Sequence, residues 1–365
     1  MRRPQVELRG DLVGLEGYHS PQVDVEVRLN TNESPLAPPE AWLAELRDEM
    51  GRIAFNRYPD RSAVDLRTAL GRIHGVGPEQ VFCAKGSNEV LQCLLLAYGG
   101  PGRRAAVFEP TYALHRHIAM LTGTEVVTGW RDADHRIDLE SMEEILRSAE
   151  PVLVFLASPN NPTGRAEPRD LVTHVASTAP GLVVVDEAYG QFAPWSALDD
   201  PGIQEGSLDR LVVVRTFSKT WSMAACRLGY LVADPSVVQA CELVALPYHL
   251  DAVVQAAGRL ALHYRAEMEQ RVSWLVGERN RVAASLGDLP LRQWPSDANF
   301  ILFRPLERSA RDVWDDLLAA SVLVRDCSSW PGLDNCLRVT IGTEEENDRF
   351  LSALRHSLGG VAGGI

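Results

Sequence analysis

Five short apolar runs, at 105–108, 152–156, 182–185, 211–214 and 229–232, constrain this chain most, because helical patterns at 88–98, 112–121, 138–148 and 168–177 are interleaved with them. Apolar runs without polar alternation read as strands covered on both faces, and their alternation with helices predicts a mostly parallel α/β sheet with helices on both sides. Open sheets of this kind bind ligands at the carboxyl ends of their strands. The residues just past each run are therefore where chemistry is expected.

From about 255 the pattern changes. A long helical stretch to about 285 precedes a strand-like segment at 299–303, a helix at 310–320, strands near 322–325 and 336–341, and a last helix opened by Thr343 and Glu346 at capping-box spacing. We expect an N-terminal arm with part of a smaller α+β domain over 1–45, a large domain over 46–250, and the rest of the small domain over 251–365.

Four segments at strand ends carry candidate chemistry. Phe217-Ser218-Lys219-Thr220 follows the run ending at Val214, with Arg227 eight residues after Lys219. A lysine beside a hydroxyl, with an arginine one to two turns on, suits an imine to pyridoxal 5′-phosphate whose phosphate Ser218 and Arg227 can hold; the plain alternative is a surface turn. Val183-Val184-Val185-Asp186-Glu187-Ala188-Tyr189 ends a strand-type run in a carboxylate. Burial of such a carboxylate is costly unless a cation faces it, and a protonated pyridine nitrogen is such a cation; the alternative is a helix cap.

Ser158-Pro159-Asn160-Asn161-Pro162-Thr163-Gly164 is a proline- and glycine-fixed turn that can aim the Asn161 amide at a ring oxygen or a carboxylate. Lys85-Gly86-Ser87-Asn88-Glu89 opens a helix, exposing free N–H groups at the positive end of its dipole, a phosphate cradle or an ordinary cap.

The order and spacing of these segments resemble the fold-type I, pyridoxal-phosphate-dependent aminotransferases of class I/II, and within them the histidinol-phosphate aminotransferase branch. The likeness runs from Gly17-Tyr18 through Leu29–Pro35, Arg57-Tyr58-Pro59-Asp60 and Pro110-Thr111-Tyr112 to Val324-Arg325-Asp326 and Cys336–Thr343. It implies a seven-stranded large domain, a homodimer, and amino transfer between L-histidinol phosphate and 2-oxoglutarate.

Residue by residue, it implies that Lys219 forms the imine and shuttles the substrate proton, that Asp186 pairs with the pyridine nitrogen, and that Tyr189 and Asn161 hydrogen-bond the ring oxygen. Tyr112 would stack on the ring. Ser87, Asn88, Ser218 and Arg227 would surround the phosphate, with Thr216 among the cofactor contacts and Tyr58 reaching the other subunit's cofactor. Arg338 would fork the substrate anion; Tyr18 and Arg325 would help bind its phosphate.

Two departures stand out. Ala225-Cys226 replaces a glycine-containing pair and Ser34 replaces an asparagine; neither is expected among the cofactor contacts, and both leave room for an aromatic or specialised-pathway aminotransferase. A same-fold decarboxylase, or a regulatory protein on the same scaffold, would keep many of these residues.

A net charge of −13 argues against a nucleic-acid partner. With 45% hydrophobic and 23% charged residues the composition is that of a globular protein, and no apolar stretch approaches the roughly 20 residues of a membrane span. Six cysteines without C-x-x-C or zinc spacing read as reduced thiols, and Met1-Arg2-Arg3-Pro4 leads into no apolar signal region, so a cytoplasmic location is expected. No metal is expected: His115 and His117 fall on different helix faces, and Asp132–Arg136 lacks the glycine and distal glutamate of a calcium loop.

Overall fold

The computed structural model describes residues 6–14, 17, 23–205 and 209–359. Twelve strands among them form two sheets: β1 (Val27–Leu29), β2 (Val81–Ala84), β3 (Arg104–Glu109), β4 (Glu125–Trp130), β5 (Leu153–Ala157), β6 (Leu182–Asp186), β7 (Leu211–Thr216), β8 (Gly229–Val232), β9 (Leu291–Gln293), β10 (Phe300–Pro305), β11 (Val322–Asp326) and β12 (Leu337–Thr340).

The larger sheet has the order β2-β8-β7-β6-β5-β3-β4. Its stretch from β7 to β4 is parallel, whereas β8 runs antiparallel to both β7 and β2. Strands β5 and β7 are buried at every position, which explains why they read as unbroken apolar runs. Two apolar clusters cover the two faces: one gathers Leu66, Val154, Val185, Val213 and Phe217, the other Leu91, Phe155, Val184, Val212 and Val214. Alternate residues of one strand thus feed opposite cores.

The smaller sheet, β1-β11-β12-β10-β9, is completed by the N-terminal β1, which pairs parallel with β11. Its core holds Phe300, Phe303, Leu323, Val339, Phe350 and Leu354. The final helix, Glu344–Ser357, opens with a capping box: Thr343 Oγ1 accepts from Glu346 N–H (3.2 Å), and the Glu346 carboxylate accepts from Thr343 N–H (2.8 Å).

The long helical stretch expected from 255 is two helices, Ala252–Ala261 and Arg265–Leu286, separated by a tight turn at Leu262–Tyr264. Packing gives the reason. The first helix buries Val254, Ala257 and Leu260 in the core of the larger sheet. The second leaves that core at Met268 and enters the other at Leu275, Val282 and Leu286, so the chain must change direction between them.

Candidate active site

Strands β5, β6 and β7 end side by side, with Ala157 paired to Asp186 and Asp186 to Val214. Their carboxyl ends form one wall of a cavity of about 380 Å³. The cavity brings together Ser87, Asn88, Tyr112, Asn161, Asp186, Tyr189, Thr216, Ser218, Lys219, Arg227 and Arg338, eleven expected site residues scattered over 250 positions of sequence.

Lys219 sits on the turn that follows β7. Phe217, fully buried and stacked on Trp221 (5.3 Å), anchors that turn to the core. The Lys219 amine donates to the Thr31 carbonyl at 3.1 Å and lies 5.6 Å from the centre of the Tyr189 ring. Burial, then the positive charges of Arg338 and Arg227, pushes its pKa down to about 7 against the opposing pull of Glu33. A substantial fraction of the amine is therefore neutral near physiological pH, able to act as a nucleophile or a base.

Asp186 is 4% exposed. Its Oδ1 accepts from the Ala188 N–H (3.1 Å) and its Oδ2 from His115 Nε2–H (3.0 Å). His115 is fully buried, stacked on Phe155 at 4.8 Å and edge-on to Tyr112 at 5.5 Å. Sequence reasoning weighed this histidine only as a metal ligand and missed its place behind Asp186. The available signal was its position on the apolar face of its helix, with Ile118 and Ala119, one turn after Tyr112.

A recess of the cavity is lined by the start of the helix Ser87–Tyr98, whose N-cap Gly86 supplies no side-chain cap. Gly86 has φ +82°, and a Cβ there would lie 2.7 Å from Arg227 Nη2. A Cβ at Gly229 would sit 2.2 Å from Ser87 N. Only glycines allow helix start, β8 and arginine to converge so closely. Arg227 Nη1 donates to Ser218 Oγ (3.2 Å), which also accepts from Thr216 Oγ1 (3.0 Å), and Tyr112 Oη donates to Asn88 Oδ1 (3.1 Å).

The opposite end of the cavity belongs to the smaller sheet. Arg338, on β12, donates through Nη2 to the Asn30 carbonyl (2.9 Å) and through Nη1 to Asn161 Oδ1, while its Nε is buried without a partner among the described residues. Arg338 lines the cavity, so its planar guanidinium is placed to receive an incoming anion. The strap Thr31–Glu33 closes the space between the two ends: Asn32 N–H donates to Thr340 Oγ1 (3.0 Å) and Asn32 Nδ2 to Tyr189 Oη (2.9 Å). The strap's contacts with Lys219 and Tyr189 were not anticipated from sequence.

A family model described as aminotransferase class I and II matches residues 24–354. The chain belongs to that family. Relatives of this aminotransferase include the histidinol-phosphate aminotransferase of Corynebacterium glutamicum, 43% identical over 354 residues and covering 95% of both chains. That of Frankia casuarinae is 44% identical over 366 residues, covering 97% of this chain and 90% of the relative. Among solved structures, histidinol-phosphate aminotransferase from Sinorhizobium meliloti in complex with pyridoxal-5′-phosphate superposes with a TM-score of 0.87 at 25% identity, covering 97% of this chain and 98% of that one.

Among the described residues, two expected ones are not on the cavity wall. Tyr58 is 78% exposed and stacks on Tyr248 at 4.4 Å. Arg325 is buried next to Arg338, its register partner on β11, with its guanidinium 5.4 Å from the Trp330 ring. Tyr18 lies outside the described residues. Ala225, expected to be clear of the cofactor contacts, lines the cavity beside Ala224, where the chain turns back after Lys219 toward Arg227. Ser34 is a step further out, accepting from Ser222 Oγ (2.8 Å) on that same turn.

Proposed function

We propose that this aminotransferase carries pyridoxal 5′-phosphate on Lys219 and passes the amino group of L-histidinol phosphate to 2-oxoglutarate, a step of histidine biosynthesis. The observation that carries the reading is a near-neutral lysine placed between a glycine-walled recess and an arginine that lines the other end of the same cavity. The names of the relatives from Corynebacterium glutamicum and Frankia casuarinae support the choice of donor.

The residues present fit the cofactor. The recess offers the helix-start N–H groups with Ser87, Asn88, Thr216, Ser218 and Arg227 for a phosphate, Tyr112 offers a ring face, and Tyr189 and Asn161 offer polar groups to a ring oxygen. Asp186, fixed by His115, is placed to hold a proton on a ring nitrogen. When bound, the cofactor supplies an electron sink for the charge left at the donor's Cα.

Lys219 Nζ would take the proton from that Cα and later return one to the 2-oxo acid's carbon, a transfer suited to a group poised near neutral pH. Arg338 would orient the substrate anion. Because the first product leaves before the second substrate enters, the same guanidinium can serve a phosphate and then a carboxylate. The strap, tied to Thr340 of the smaller sheet, also accepts a hydrogen bond from the Lys219 amine.

Tyr58, exposed in a single chain, would complete the recess of a second copy in a homodimer. We further propose a cytoplasmic enzyme, and two domains with a chain crossing near 45. The burial of Ala252–Ala261 in the larger core argues for a second crossing closer to 264 than to 250. Among the described residues no helix is long and apolar enough to cross a membrane, and no group of three or more side chains could hold a metal ion.

The test is a single-turnover half-reaction. Cofactor-loaded protein should lose its yellow absorbance on mixing with L-histidinol phosphate and regain it with 2-oxoglutarate. Slow loss with histidinol phosphate but fast loss with phenylalanine would move the enzyme to aromatic donors, and release of carbon dioxide from an amino acid would replace transfer with decarboxylation.

A further inference from the structure

Arg325 and Arg338 face each other across the antiparallel pair β11–β12, and the loop joining those strands carries Trp330. The Trp330 ring lies 5.4 Å from the Arg325 guanidinium and 5.9 Å from that of Arg338, within range of cation–π attraction to both. Yet only two of the three residues meet the cavity: Trp330 and Arg338 line it, and Arg325, 8% exposed, does not. The indole is thus a cavity-lining side chain that also packs against the Arg325 guanidinium.

The loop holds that indole firmly at its base and loosely at its tip. Cys327 N–H donates to the Cys336 carbonyl (3.0 Å), Trp330 N–H to the Cys327 carbonyl (2.9 Å) and Leu333 N–H to the Trp330 carbonyl (3.1 Å). Cys327, Leu333 and Cys336 sit in a small cluster with Trp294 and Leu302, separate from the main cores, and Trp330 packs on that cluster only in part. At the tip, Gly332 takes φ +71° and passes close to Pro110 of the larger sheet, where a Cβ would lie 3.5 Å from the Pro110 ring. Rotating the indole thus disturbs neither main core.

We propose that Trp330 is a specificity-determining shutter of the substrate-anion site: in place it leaves Arg338 alone for a carboxylate, and swung aside it adds Arg325 for a phosphate. The proposal rests on the reading of this enzyme as one that accepts a phosphate-bearing donor and a dicarboxylate acceptor in turn. A carboxylate needs one planar fork, whereas a phosphate presents three oxygens that two guanidinium groups can share. The shutter lets one pocket serve both without a second charged group facing the smaller anion.

The test is calorimetric binding of inorganic phosphate and of glutarate to cofactor-loaded wild type, Trp330→Ala and Trp330→Phe, with KM and kcat for L-histidinol phosphate and for 2-oxoglutarate alongside. Permanent access to Arg325 in Trp330→Ala should tighten phosphate by about 10-fold and lower the KM for histidinol phosphate in parallel, with glutarate affinity changed less than about threefold. Trp330→Phe, which keeps an aromatic cap, should stay near wild type. Trp330→Val, a small side chain without a ring, takes the place of the alanine variant if that does not fold.

Phosphate affinity unchanged or weakened in Trp330→Ala, or both anions moving together, would overturn the shutter. Failure of wild type to turn over histidinol phosphate would instead remove the proposed donor, and the phosphate-to-glutarate ratio would still report on Trp330.

Discussion

The two ends of the cavity are built on different principles. The recess end is made by strand ends and a helix start of one sheet, with glycines holding backbone against backbone at Gly86 and Gly229. Little there can move without tearing the larger core. The anion end is made by Arg338 and a half-buried Trp330 on one hairpin of the smaller sheet, with Arg325 packed against them rather than on the cavity wall. A group that stays bound through every cycle suits the first kind of wall, and a succession of different substrates suits the second.

The largest effect should come where the two ends meet. Lys219→Ala removes both the attachment point and the base, and turnover should fall by at least about 10⁴-fold with no yellow species formed on adding the cofactor. Retention of near wild-type turnover would break the assignment of the whole site.

The next experiment separates the ends. Arg338→Lys loses the planar fork, so kcat/KM for both substrates should drop by about 10- to 100-fold while cofactor affinity holds. Arg227→Lys should do the converse, weakening cofactor binding with little change in donor KM. If each variant disturbed both quantities equally, the cavity would be a single coupled surface and the contrast would fail.

A smaller effect is expected behind the recess end. His115→Phe keeps a ring against Phe155 but deprives Asp186 of a hydrogen bond, and kcat should fall about 10-fold with donor KM nearly constant. An unchanged kcat would reduce His115 to a packing residue.

The smallest change measures how far one end is felt at the other. Lys219 has its pKa lowered to about 7, with Arg338 second only to burial among the causes. The neutral amine captures the cofactor, so the capture rate in cofactor-free protein should rise with pH through about 7 rather than near the usual lysine value. Arg338→Ala removes a cation that disfavours the protonated form, and the midpoint should move upward. Stability carries the same sign: between the folded value and that of an unfolded lysine the unfolded chain binds more protons, so the cofactor-free protein gains stability as pH rises across that window. Lys219→Met should flatten this slope.

Legibility in the sequence followed burial. Strands β3 and β5 to β8 read directly because both faces of each are covered. Strand β4, Glu125–Trp130, was not read: it is the edge of the sheet, only Gly129 is fully buried, and its pattern carries neither a continuous run nor a clean alternation. Strand β2 was not read although all four of its residues are buried, and β9, three half-buried residues, carries no periodic signal. Lys219, Asp186, Asn161 and Ser87 were legible because each lies in a compact local motif with a chemical rationale. His115 pairs with a residue 71 positions away, and Asn32 reaches Tyr189 over 157, so neither contact leaves a local trace.

The sequence by itself determined the alternation of strand and helix, the residue types at the strand ends and the family they resemble, because these depend on burial and local backbone chemistry. Tertiary structure alone decided that the strap sits on Lys219, that His115 backs Asp186 and that Trp330 packs against Arg325 and Arg338. Those contacts depend on how separate elements close on one another, and pairwise geometry across long chain separations is set only when both cores have packed.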